Sequence, residues 1–126
     1  MNAARLPEWC LRIGICYLIA GMSFGAYMGA TDNFGYRDVH AHLNLLGYVS
    51  TFLIGLFLKA YPSALKSKAT VISVWCVIAA VALMLVLLTI FQCGVEAVAQ
   101  PLGIASFLTL LAYVAFAGSV FWVTKK

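Results

Sequence analysis

The chain has 126 residues, of which 64% are hydrophobic and only 10% are charged, and its formal net charge is +4. Soluble domains are about 45–50% apolar and about 25% charged, so this composition excludes a soluble enzyme and also a disordered chain. Nucleic-acid binding is excluded as well, because the basic residues lie at the ends of apolar runs and not on one amphipathic face. A single integral membrane domain over residues 1–126 remains.

Four apolar stretches are long enough to cross a bilayer, which takes roughly 20 residues in an α-helix. The sequence predicts membrane-spanning helices over about 11–29, 40–61, 69–91 and 101–123. Turn-forming residues support these limits: Asp32 and Asn33 follow the first stretch, Pro62 follows the second, and Pro101 opens the fourth. The predicted fold is therefore an all-α membrane protein, a four-transmembrane-helix bundle in which sequential helices are antiparallel neighbours.

Two of the predicted helices carry packing signals. In the first helix, small residues at spacings of four and seven form a glycine ridge made of Gly14, Gly21, Gly25 and Gly29. Such a ridge lets another helix approach closely, and that helix can belong to the same bundle or to another copy. The third helix is almost wholly aliphatic, which predicts that it faces lipid.

The distribution of Lys and Arg predicts the orientation in the membrane. Seven of the eight basic residues fall on one side of the predicted bundle: Arg5, Arg12, Lys59, Lys66, Lys68, Lys125 and Lys126. Arg37 lies on the other side. Because basic loops stay in the cytoplasm, both termini are predicted to be cytoplasmic, in a multi-pass protein of the bacterial inner membrane. The second helix then begins at the outer surface.

The two histidines of the chain, His40 and His42, lie together at this outer start. An ionisable residue at membrane depth is costly and marks a functional site by default; the alternative is that both rings are hydrogen-bonded in the headgroup layer without a further role. Residues two positions apart on an α-helix are rotated by about 200° around the helix axis, so the two rings point to nearly opposite sides. This geometry disfavours a copper or zinc ion chelated by both rings.

Opposite-facing histidines suit a helix that lies between two flat cofactors and gives each one axial nitrogen. Haem fits this geometry if protomers form a ring, so that His40 of one copy and His42 of its neighbour bind the two faces of one macrocycle. The sequence predicts these histidines as axial ligands of haem iron. Arg37 is predicted to lie at the rim near the haem propionates, and Asn44 to donate a hydrogen bond beside the ligands.

The segment His40–Ser50, with the sequence HAHLNLLGYVS, resembles small membrane proteins related to subunit I of the haem-copper oxidases, a superfamily that includes nitric oxide reductases and cbb3-type oxidases. In that subunit, an axial histidine of the low-spin haem lies near the outer start of the second helix, and an H-x-H pair on the tenth helix serves two haems. Its twelve helices form three four-helix arcs. The resemblance implies that this chain is one arc, which assembles as a homotrimer with haem b between protomers.

The chain also departs from that family, because no histidine is left for a copper centre. Reduction of oxygen at a haem-copper pair is therefore not expected, and no catalytic residue is predicted. With both axial positions filled by histidine, the expected function is electron transfer, with a quinol as one conceivable partner. Two alternatives stay open: haem-based binding or sensing of oxygen or nitric oxide, or an oxidase-like enzyme; and a cofactor-free structural or transport protein in the membrane.

Overall fold

In the computed structural model, which describes residues 3–125, every regular element is a helix. Four helices are long and apolar enough to cross a membrane: the first helix (Ala3–Thr31), the second (Phe34–Ala60), the third (Lys68–Gln92) and the fourth (Glu96–Thr124). The predicted all-α architecture with four candidate membrane spans is thus confirmed. The first helix begins earlier than predicted, because its first turn accommodates Pro7, which needs no amide hydrogen there.

The connection between the first and second helices is much shorter than the sequence indicates. The first helix ends where Asp32 adopts a left-handed conformation with φ 49°. The side chain of Asn33 then accepts a hydrogen bond of 3.1 Å from the backbone nitrogen of Gly35 and starts the next helix at once. As a result, Arg37 and Asp38 lie inside the second helix and not in a loop, and the histidines follow within its first turns.

The glycine ridge of the first helix packs against the second helix of the same chain. A Cβ atom at Gly14 would lie 3.1 Å from the Cβ atom of Phe52, and one at Gly25 would lie 2.8 Å from the ring of His40. Gly21 is equally close to the second helix. Only at Gly29 does the ridge have no atom within 4 Å of an added Cβ. Gly14, Gly21 and Gly25 therefore pack against a helix of the same chain, and not against another copy of it.

The second helix also has glycines at its contact with the first helix. A Cβ atom at Gly47 would lie 2.7 Å from Cγ of Tyr17, and one at Gly55 would lie 3.0 Å from both Cβ of Cys10 and the carbonyl oxygen of Pro7. Glycines on both helices thus allow the two backbones to approach each other closely. Close packing of this kind replaces the hydrophobic effect as the cause of helix association inside a membrane.

The third helix does not simply face lipid, as its aliphatic sequence predicts. One side of it is buried along most of its length, at Thr70, Ser73, Val74, Val77, Val81, Met84 and Leu85. The third helix packs on the fourth and also contacts the first half of the second, where Gln92 at its carboxyl end reaches Asp38. Leu58 of the second helix and Ala105 of the fourth complete the buried centre. Its opposite side, which carries Ile72, Leu83 and Val86, is exposed. The sequence did not reveal the buried side because a helix that is apolar all round carries no periodic signal for it.

Candidate functional site

His40 lies in the α-helical segment Arg37–His42 and its ring is turned towards the first helix. Its Nδ1 atom is 2.7 Å from the carbonyl oxygen of Gly21. A carbonyl oxygen can only accept a hydrogen bond, so Nδ1 carries the proton and donates it. In the neutral ring this leaves Nε2 with a free lone pair. The ring is half-buried.

Asn44 lies one turn after His40 and supports the same arrangement. Its Nδ2 atom donates a hydrogen bond of 2.8 Å to the backbone oxygen of His40 and lies 3.3 Å from Nδ1 of the ring. Because Nδ1 is itself a donor, the bond to the backbone is the effective one. An added Cβ at Gly21 would lie 2.7 Å from Nδ2 of Asn44, so the glycine leaves the space that the amide occupies. Asn44 therefore lies beside His40, where the sequence predicts it.

His42 has an equivalent hydrogen bond on the opposite side of the helix. Its Nδ1 atom is 2.7 Å from the carbonyl oxygen of Asp38, four residues earlier in the same helix. Nδ1 is again the donor, and Nε2 again keeps its lone pair. Within residues 3–125, neither Nε2 atom forms a hydrogen bond. Each histidine is thus held by one nitrogen and presents the other.

These contacts predict the tautomer of both histidines. In haem-free protein we expect each neutral ring to carry its proton on Nδ1, because each Nδ1 faces a carbonyl oxygen. Nitrogen NMR of protein labelled with ¹⁵N-histidine measures this directly, since protonated and bare ring nitrogens differ widely in chemical shift. Free histidine in the same detergent is the control. A bare Nδ1 in either ring would contradict the assignment.

The faces of the second helix that continue from the two histidines differ in exposure. On the side of His40, Gly47, Thr51 and Gly55 are buried against the rest of the chain. On the side of His42, exposed apolar residues follow one another along the helix: Leu45, Val49, Leu53 and Leu56. His40 therefore packs within the bundle, whereas His42 lies at the start of an exposed apolar face.

Polar residues at the same end tie the second helix to the third. Asp38 accepts a hydrogen bond of 3.1 Å from Nε2 of Gln92 through Oδ2, and its Oδ1 atom is 3.9 Å from Nε of Arg37. The Arg37 side chain is 80% exposed. Its guanidinium group is thus only loosely paired and is available to an anion one turn before His40.

A π-helix follows the histidines directly and spans Leu43–Ser50. The side chains of Ser50 and Thr51 donate to carbonyl oxygens five residues earlier, at 2.9 and 3.3 Å. The hydroxyl of Tyr113 in the fourth helix lies 3.5 Å from the carbonyl oxygen of Leu46, one of the same two acceptors. π-helical turns occur frequently at functional sites. No periodicity in the sequence indicates this segment.

The histidines do not converge with other metal-ligating side chains. Within the described residues, no group of three or more His, Cys, Asp or Glu side chains could hold a metal ion. Comparison with protein-family models, with curated proteins and with solved structures finds no match for this chain.

Proposed function

We propose that this chain is a haem b protein of the membrane, in which His40 and His42 supply axial nitrogens to haem iron. The observation that carries the proposal is the shared state of the two rings, with Nδ1 donating to a backbone carbonyl oxygen and Nε2 unpaired. Histidines that bind metals almost always donate their other ring nitrogen in this way, which fixes the tautomer and makes the ligand more basic.

The opposite directions of the two rings support binding between protomers. One chain cannot bring both Nε2 atoms to the two faces of one macrocycle, so His40 of one protomer and His42 of the next are the proposed pair. Such a contact joins two different surfaces and closes into a ring, for which the resemblance of His40–Ser50 to haem-copper oxidase subunit I supports a homotrimer. The exposed apolar face that begins at His42 is a suitable surface for this contact.

The proposed role is electron transfer near the outer face of a bacterial inner membrane. Haem supplies one-electron chemistry when bound, and two histidine ligands leave its iron without a position for a gas. The backbone carbonyl oxygens of Gly21 and Asp38 orient the two histidine rings. The chain also places the positive charge of Arg37 at the outer end of the second helix. All described basic residues except Arg37 lie at the opposite end of the helices, which supports cytoplasmic termini.

The visible absorption spectrum of the detergent-purified protein tests this function. Spectra are recorded for the oxidised protein, for the dithionite-reduced protein and for the reduced protein under carbon monoxide. Sharp reduced bands that carbon monoxide leaves unchanged are expected from haem b with two histidine ligands. Bands that shift with carbon monoxide would overturn the electron-transfer role in favour of gas binding, and an absence of haem bands after haem supplementation would overturn haem binding itself.

The role of Arg37 gives a prediction for the redox potential. Arg37→Ala removes a positive charge near the proposed propionates. Without this charge the oxidised, more positive iron is favoured, so the midpoint potential falls. Because the side chain is largely exposed, a contribution of about 0.2–1 kcal/mol corresponds to a shift of about 10–40 mV. Spectroelectrochemical titration measures it. Arg12→Ala, at the opposite end of the bundle, is the control and should leave the potential unchanged; equal potentials for all three proteins would contradict the role of Arg37.

A further inference from the structure

The third and fourth helices enclose a groove that opens to the membrane. It has a volume of about 760 Å³ and is lined almost entirely by apolar atoms. Small side chains line much of it, among them Ala79, Ala80, Ala112 and Ala115, together with larger ones such as Leu83 and Leu108. From Ala69 to Leu83 it follows the third helix for fourteen residues, about 21 Å. One leaflet of the hydrocarbon core is about 15 Å deep, so the groove can take an acyl chain that crosses a leaflet.

One end of this groove continues into a second cleft of about 290 Å³. Ala69 and Ala115 line both clefts. The second cleft is lined by polar and apolar atoms in nearly equal measure, with Ser67, Ser119 and Trp122 among its residues. The two clefts adjoin at these residues, so a long apolar groove lies next to a more polar mouth, an arrangement that suits an amphiphilic molecule.

The mouth offers hydrogen-bond donors that the chain does not use. In the part of the chain that the structure describes, the Ser119 hydroxyl has no hydrogen-bond partner, whereas Ser106 and Thr109 of the same helix each donate to a carbonyl oxygen four residues earlier. The third helix begins at Lys68. The Ser67 side chain accepts a hydrogen bond of 3.4 Å from the backbone nitrogen of Thr70, so the amides of Lys68 and Ala69 are the first-turn amides without an acceptor inside the helix. Such amides favour a negatively charged group.

Positive charge lies at the same mouth. Lys68 stands between Ser67 and Ala69, which both line the cleft, and Lys66 lies one residue before Ser67. Both lysines are exposed, and neither forms an ion pair among residues 3–125. Lys59, at the same end of the bundle, differs because its Nζ atom is 3.3 Å from a carboxylate oxygen of Glu8. Two uncompensated positive charges therefore flank the residues that line the mouth of the groove.

We propose that this groove binds one anionic phospholipid, with an acyl chain between the third and fourth helices and the phosphate at the mouth. The charge of the mouth selects this occupant over an apolar helix of another copy, which would leave the lysines and the amide groups without a partner. The proposal is independent of haem binding, because the groove and the histidines lie on different helices.

Native mass spectrometry of the purified protein tests the headgroup. Dioleoyl phosphatidylglycerol and dioleoyl phosphatidylcholine are titrated separately in the same detergent, and the bound fractions are compared. The wild type is expected to prefer phosphatidylglycerol. The double variant K66Q/K68Q should lose roughly 30-fold of this preference, from about fivefold for each basic residue at the surface. K59Q is the matched control and should keep the preference, because Glu8 already pairs with Lys59. An unchanged preference in K66Q/K68Q would overturn the proposal.

A second variant tests the groove itself. Ala115→Leu fills the junction of the two clefts and should abolish retention of the phospholipid. Ala26→Leu, on an exposed position of the first helix, adds the same side chain elsewhere and should retain it. Equal retention in both variants would overturn the proposal. A change of oligomeric state in Ala115→Leu alone, with phospholipid binding unaffected, would overturn it too and would assign the groove to a second copy of the chain.

Discussion

His42→Ala is expected to abolish the low-spin haem spectrum, and His40→Ala to do the same. Each proposed haem takes one nitrogen from each kind of histidine, so either variant removes one axial ligand from every haem. With one histidine left, the iron has an open position. The variant should then either lose haem or, when reduced, bind carbon monoxide. The measurement is the reduced spectrum with and without carbon monoxide, together with the haem content per chain.

A structural effect can be separated from loss of a ligand in these variants. His40→Ala also removes the hydrogen bond to Gly21, so its elution volume in gel filtration must match that of the wild type. Added imidazole should restore the low-spin bands in a variant that is folded and lacks only the ligand. Gln92→Ala is the control, because Gln92 lies at the same end of the bundle and is not a proposed ligand. Full low-spin haem in both histidine variants would refute the assignment.

Gly47→Ala is expected to destabilise the protein by about 1–3 kcal/mol, the usual cost of an atom inserted into close packing. The new Cβ would lie 2.7 Å from Cγ and 2.9 Å from Cβ of Tyr17. These atoms lie next to the Tyr17 backbone, so a rotation of the side chain cannot make room, and the first and second helices must move apart. Unfolding in detergent, followed by circular dichroism, measures the loss.

Gly103→Ala is the matched control for Gly47→Ala. An added Cβ at Gly103 has no atom within 4 Å, and the residue lies inside the fourth helix. Alanine costs less backbone entropy there, so a gain of about 0.5–1 kcal/mol is expected. If both variants changed the stability equally, the close contact of Gly47 with Tyr17 would not be a source of stability.

The number and the type of the helices follow from the sequence alone. A bilayer requires long apolar helices, because lipid offers no hydrogen bonds to the backbone, and four stretches of this chain meet that requirement. The opposite directions of His40 and His42 follow equally, since both lie in one α-helical segment and the rotation per residue is constant. The position of Asn44 one turn after His40 has the same cause.

Of these side chains, His40 is the one whose partner was decided by the tertiary structure, because His42 and Asn44 bond to carbonyl oxygens of their own helix. His40 donates to Gly21, nineteen residues away on another helix, and no pattern in the sequence joins the two. The buried face of the third helix and the π-helix over Leu43–Ser50 were equally beyond prediction. The two packing features have a common physical reason: periodicity determines which residues share a face of a helix, whereas the neighbour of that face depends on how closely the backbones can approach. In this chain that approach is set by glycines on both the first and the second helix.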